Sequence, residues 1–146
     1  MSLLISMIAR KYLLNIPSQP ENINKMEVFL DNCLRDNKIN RQQYHDILLV
    51  LTEAVTNCML HGNGANPEKN VLIECKIESD HIRFWVEDEG AGFDPSHLPD
   101  PTQRDFLDKP CGRGVFLMRR LSHSMRFHHQ GRAVEIEFRT NEHKDN

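Results

Sequence analysis

An α+β two-layer sandwich, with three helices on one face of a mixed, mostly antiparallel β-sheet, is the fold that three observations in this sequence predict. Apolar residues recur at helical spacing from Ile23 to Cys58. After Asn70 the hydrophobic period switches from 3.6 to 2, and Val71, Ile73, Cys75 and Ile77 alternate with polar residues. A third helical stretch and a second alternating pair follow a long segment rich in Gly, Pro and Asp. The resulting order is βααββ–loop–αββ, and helices that bury one stripe against one sheet face give two layers.

Each element has its own signal. Ala9–Ile16 mixes β-branched and aliphatic residues and closes at Pro17, which predicts an early strand. Pro20 opens a helix, with Glu21 in its first turn, and Ile23, Met26, Phe29, Leu30, Cys33 and Leu34 carry it to about Asp36. The turn-like Asn37–Asn40 follows, and Asn40 is the expected cap of a second helix running to about His61. Gly62-Asn63-Gly64-Ala65-Asn66-Pro67 ends that helix. Ser79-Asp80 turns the chain between the first alternating run and the second, Ile82, Phe84 and Val86, so the hairpin delivers the chain to Asp88. Residues 89–111 exceed the usual connection length, and such loops are commonly functional lids or else disordered. Val115, Phe116, Leu117, Met118 and Leu121 predict a helix starting near Gly112–Gly114. Met125 and Phe127 lead into a turn at Gln130-Gly131, and Val134, Ile136 and Phe138 lead out of it. The polar tail, 141–146, is expected to fray.

Composition narrows the function. The 146 residues suit a single domain, 1–146, with 39% hydrophobic and 27% charged residues. A net charge of -3 gives no electrostatic support for binding nucleic acid or an anionic membrane. No apolar run approaches the roughly 20 residues of a membrane span, and the opening MSLLISMIARKYLL is not read as a signal peptide. Cys33, Cys58, Cys75 and Cys111 lack metal-ligand spacing; the first three fall at apolar positions, as free thiols of a cytoplasmic chain would.

Three stretches carry chemistry. In Leu51–Gly62 a helix would bring Glu53, Asn57 and His61 to one face beside a buried stripe of Ile47, Leu48, Leu51, Ala54, Val55 and Cys58. Taken alone, such a trio is more often a solvated face. Asp88-x-Gly90-x-Gly92 leaves a strand end, where a carboxylate can accept a hydrogen bond from a purine's exocyclic amine and glycines allow close approach. A glycine turn capped by Asp explains it as well. Gly112-Arg113-Gly114 at a helix start offers free N–H groups and the positive dipole end to phosphate oxygens, or is a plain loop-to-helix junction. No Walker loop occurs.

In this order, the three stretches resemble the boxes of the histidine kinase-like (Bergerat-type) ATP-binding fold shared by gyrase, heat-shock chaperones, histidine kinases and mismatch-repair ATPases. Within that superfamily the chain is similar to the small bacterial anti-sigma factor serine/threonine kinases. Glu53-Ala54-Val55-Thr56-Asn57 with His61-Gly62 looks like their N-box. Asp88-Glu89-Gly90-Ala91-Gly92-Phe93-Asp94 looks like their G1 box, and Gly112-Arg113-Gly114 with Phe116-Leu117-Met118 like their G2 box. The likeness spans roughly residues 8–140.

The resemblance implies that ATP and Mg²⁺ are the cofactors, with Asn57 as metal ligand and Glu53 as general base toward a target hydroxyl. It implies that Asp88 takes the adenine amine, that Gly90 and Gly92 line the adenine pocket, and that Gly112 to Gly114 hold phosphates in a lid over 89–111. Arg113 either adds charge there or faces solvent, and His61 packs at the helix end. The implied function is partner switching: the kinase binds a sigma factor and phosphorylates an anti-sigma factor antagonist on serine or threonine. A homodimer is implied too. An alternative is an ATP-binding regulatory module that switches partners without phosphoryl transfer; the intact Glu53 argues for the kinase. A detached histidine-kinase catalytic domain is weaker, since no phosphoacceptor helix pair stands upstream. Two departures from the family pattern stand out: Lys109-Pro110-Cys111 where the lid often has further glycine, and Ala133 where a threonine often stands near the adenine.

Overall fold

The computed structural model describes residues 10–90 and 110–140. Strand β1 is Arg10–Pro17, ended by the proline that cannot extend the ladder. A 3₁₀ turn at Pro20–Asn22 precedes helix α1, Ile23–Leu34, so the helix proper starts one turn later than Pro20 suggested. Helix α2 is Arg41–Asn57. Its cap is the expected Asn40, whose side chain accepts the Gln43 N–H at 2.7 Å. A single π turn, Cys58–Gly62, continues it where an unbroken α-helix to His61 was expected. Strands β2 (Asn70–Ile77) and β3 (His81–Glu87) form the expected hairpin. Helix α3 is Pro110–Leu121, and β4 (Ser124–His128) and β5 (Ala133–Arg139) close the order.

The five strands lie in the order β1-β2-β3-β5-β4, and every described pairing is antiparallel, where a mixed but mostly antiparallel sheet was expected. The reason is topological. Helix α3 carries the chain past the β5 position to the edge, where β4 forms, and the β4–β5 hairpin then inserts β5 beside β3, opposed to both neighbours. The two-layer sandwich itself is as expected.

The period-2 runs decide which face is dry. Registers Ile73↔Val86, Cys75↔Phe84 and Phe84↔Ile136 align apolar residues across three strands, and all five are fully buried. Met26 and Leu30 of α1, Ile47, Val50, Leu51 and Ala54 of α2 and Met118 of α3 cover this face from one side. The opposite face is charged, with pairs such as Lys11–Glu74 at 3.4 Å and Arg83–Glu135 at 3.7 Å. Cys33, Cys58 and Cys75 are buried free thiols, as their apolar spacing indicated.

Candidate functional site

The strand parity that buries Ile82, Phe84 and Val86 continues one step past β3 and turns Asp88 to the same face, where it is 7% exposed. The ladder continues too, since Asp88 N–H donates to the Arg132 carbonyl at 2.9 Å. A carboxylate thus ends up at the mouth of the core. Its Oδ1 accepts the Gly90 N–H at 2.8 Å. Burial pushes the Asp88 carboxyl above its ordinary range, offset in part by the Gly90 N–H, the Cys58 thiol and the positive Arg132. The Cys58 thiol is pushed up in turn, by burial first and then by the Asp88 charge. It therefore remains an S–H donor toward that carboxylate and is no nucleophile.

Two glycines let the backbone close around this carboxylate. A Cβ on Gly62 would stand 2.0 Å from Asp88 Oδ2, and one on Gly90 would stand 1.8 Å from the Gly62 carbonyl oxygen. The π turn and the turn after β3 thus touch backbone to backbone, which any side chain at either position would prevent.

A cavity of about 250 Å³ opens beside Asp88. Ala54, Val115, Met118, Phe127, Ala133 and Val134 supply apolar wall, while Asn57, His61, Asp88 and Arg132 supply polar groups. This combination of mostly hydrophobic walls with a few placed polar groups suits a planar base. The π turn shapes one side of it. Widening the ladder, with Asn63 N–H donating to the Cys58 carbonyl at 2.8 Å, lets Cys58, His61 and Gly62 all border the cavity; such turns recur at functional sites.

Asn57 borders the cavity from α2, and Glu53 stands one helical turn before it on the same helix. They meet α3 at Gly114, where an added Cβ would come 2.8 Å from Glu53 Oε2 and 3.1 Å from Asn57 Nδ2. The third and first stretches of the sequence are thereby packed together. Asn57 and His61 border the cavity, but the π turn separates His61 from the α-helical face it was expected to share with Glu53.

Helix α3 begins at Pro110, several residues before the expected Gly112–Gly114, because proline at the first helical position forfeits no hydrogen bond. Gly112 consequently falls in the first turn, whose N–H groups lack intrahelical acceptors, while Arg113 and Gly114 come just after it. Gly92 and most of the lid, 91–109, lie outside the described residues. Of the two departures noted in the sequence, Ala133 is buried against the cavity.

Several site residues escaped the motif reading. Cys58 carried a signal, since one helical turn from Ala54 places it on the cavity side. Phe127, Gly131 and Arg132 carried none, because they reach the cavity only through the pairing of β5 with β3 and of β4 with β5.

An amide oxygen is a hard donor of the kind Mg²⁺ takes, and Asn57 borders the cavity with one. The cradle at Gly62, Gly90 and Asp88 is closed to any Cβ and ends in an acceptor, which fits a purine amine. The residues present therefore fit both groups.

Comparison with known proteins identifies the family. Residues 16–139 match the family model of the histidine kinase-like ATPase domain. A relative named serine-protein kinase RsbW, from Oceanobacillus iheyensis, is 23% identical over 123 residues, 80% of this chain and 78% of that protein. An anti-sigma F factor of the same organism is 36% identical over 67 residues, 44% of this chain and 46% of the relative. Another from Bacillus cytotoxicus is 35% identical over 81 residues, 53% of this chain and 54% of the relative, so the matches span about half of these factors. Among solved structures, the RsbU and RsbW domains of Rv1364c from Mycobacterium tuberculosis superpose with a TM-score of 0.62 at 13% identity. That match covers 89% of this chain and 32% of the mycobacterial one, and it shows a shared fold. With the family model covering residues 16–139, nearly the whole described fold, the chain belongs to the histidine kinase-like ATPase domain family.

Proposed function

We propose that this protein is an ATP-dependent anti-sigma factor serine/threonine kinase, which binds a sigma factor and phosphorylates an anti-sigma factor antagonist. One observation carries the catalytic part: the Glu53 carboxylate and the Asn57 amide lie side by side against Gly114, next to a cavity that ends in Asp88. The names borne by the relatives, a serine-protein kinase and anti-sigma F factors, support the reaction and the client class. No described helix is long and apolar enough to cross a membrane.

In this reading Asp88 accepts the adenine amine with the oxygen that Gly90 does not occupy, and the apolar wall from Met118 to Val134 stacks on the base. Asn57 holds Mg²⁺ through its amide oxygen. Gly112 donates a first-turn N–H of α3 to a phosphate oxygen, where the helix dipole and the Arg113 charge add favourably. Glu53 accepts the proton of the antagonist's hydroxyl as the serine oxygen bonds to the γ-phosphorus and the bond to the β-phosphate oxygen breaks, releasing ADP. The metal ion, when bound, neutralises phosphate charge. Gly92, outside the described residues, is assigned to the adenine pocket by the family resemblance alone, and a homodimer is the expected assembly.

Glu53→Gln tests the reading, because it keeps size and hydrogen-bonding reach and removes the proton acceptor. A base contributes about 10²–10⁴-fold, so single-turnover transfer to a co-purified antagonist should slow at least about 100-fold while ATP·Mg²⁺ and both partners still bind. Transfer at the wild-type rate would strip Glu53 of its role. No transfer by the wild type to any protein captured with it would leave a nucleotide-operated binding module instead.

A further inference from the structure

Asn63 follows the π turn and is only 3% exposed, yet its side chain lies among polar partners. Its Nδ2 donates to Ser18 Oγ at 2.8 Å and to the Asn70 carbonyl at 2.9 Å. Its Oδ1 accepts the Glu89 backbone N–H at 2.7 Å. Both amide protons and the carbonyl are therefore used. Ser18 can accept because its own hydroxyl proton goes to the Lys69 carbonyl, at 2.8 Å. Glu89 closes a ring, since its Oε2 accepts the Asn70 N–H at 2.6 Å. Because Asn63 and Ser18 are buried, losing a partner would leave part of the Asn63 amide without water, and this holds the side chain in one arrangement.

The anchored end of this network is the stretch that carries Asp88. The Glu89 N–H lies between Asp88, whose own N–H is held by Arg132, and Gly90, whose N–H is bound by Asp88 Oδ1. On its other side the same turn rests on the Gly62 backbone. Ser18, Asn70 and Gly62 belong to three separate parts of the chain, and Asn63 is the side chain that ties them to the turn.

We propose that Asn63 is a positioning residue for base recognition. It pins the Asp88–Glu89–Gly90 turn against the π turn, so that Asp88 keeps one oxygen on Gly90 and offers the other to an exocyclic amine. The inference rests on the nucleotide reading above, yet concerns a residue outside the three sequence boxes. Its physical basis is preorganisation. A carboxylate already fixed in its accepting orientation loses no rotational freedom when the base arrives.

Two substitutions test it, measured by calorimetry on the full chain with ATP, GTP and adenosine. Asn63→Ala deletes all three side-chain bonds. Asn63→Asp keeps an acceptor for Glu89 and loses both donors. The preference for ATP over GTP and the affinity for adenosine should each fall about tenfold in Asn63→Ala and roughly threefold in Asn63→Asp. The ratio of ATP to adenosine affinity, which reads the phosphate and metal contacts, should stay at its wild-type value. A wild-type preference for ATP over GTP, in whichever variant folds, would overturn the proposal even if the melting temperature drops. A wild-type protein that binds none of the three ligands would overturn the nucleotide reading itself, before any variant is measured.

Discussion

Gly114 lies inside α3, where alanine is the better helix former by about 0.8–1 kcal/mol. Its Cβ would come 2.8 Å from Glu53 Oε2 and 3.1 Å from Asn57 Nδ2, and its next neighbour, at 3.7 Å, is the Glu53 carboxyl carbon. These nearest atoms are all ends of flexible side chains, so the clash is relieved by rotating them rather than by moving backbone. Gly114→Ala should therefore fold at least as well as the wild type. With about 2–4 °C per kcal/mol for a chain of this size, the melting temperature without nucleotide should hold or rise by up to about 3 °C. Chemistry should suffer instead, because Glu53 and Asn57 are pushed aside by roughly half an ångström or more, and a displacement of about 1 Å can cost 10²-fold in rate. We expect single-turnover phosphate transfer to slow about 10- to 100-fold. Thermal denaturation and transfer assays on the same preparation decide the matter. A melting temperature lowered by several degrees with transfer at the wild-type rate would refute the reasoning, since it would mean that α3 presses on the fold and not on the reacting groups.

Two further outcomes follow from the geometry. Asp88 is held above its ordinary carboxyl range by burial, so its contribution to stability is fully present below about pH 3.9, the unfolded value, and is lost as pH rises through the folded one. Asp88→Asn should accordingly stabilise the nucleotide-free protein at neutral pH and flatten its pH–stability curve, while weakening ATP about tenfold or more; denaturant melts at several pH values and calorimetry would show both, and an unchanged affinity would remove Asp88 from base recognition. Asn57→Ala should abolish the difference in ATP affinity between excess Mg²⁺ and chelator, because a hard amide oxygen is lost from the metal shell; a difference equal to the wild type's would make Asn57 a polar helix residue only.

Much of this was legible in the sequence because it depends on short-range geometry. The period of 2 in Val71–Ile77 and Ile82–Val86 follows from the pleat and reappears as the buried face of β2 and β3. The same parity, extended by one step, turns Asp88 inward. Asn40 caps α2 because its side chain can reach an N–H three residues away, a local matter of bond lengths. Helical spacing alone puts Glu53 and Asn57 on one face.

Tertiary structure alone decided the rest. That Gly62 must be a glycine depends on Asp88, and that Gly90 must be one depends on Gly62; the chain between them encodes neither contact. Asn63 read as part of a helix terminator, and only the meeting of β1, β2 and the turn after β3 makes it a buried anchor. The π turn widens a helix whose apolar spacing gave no warning, because its register answers to the packing of Cys58 and Gly62 against Asp88. Composition and period are set by each segment's own sterics and its need to hide apolar surface, whereas a binding site is made by close approach between segments far apart in sequence. Its defining contacts exist only once the sheet and the helices have packed.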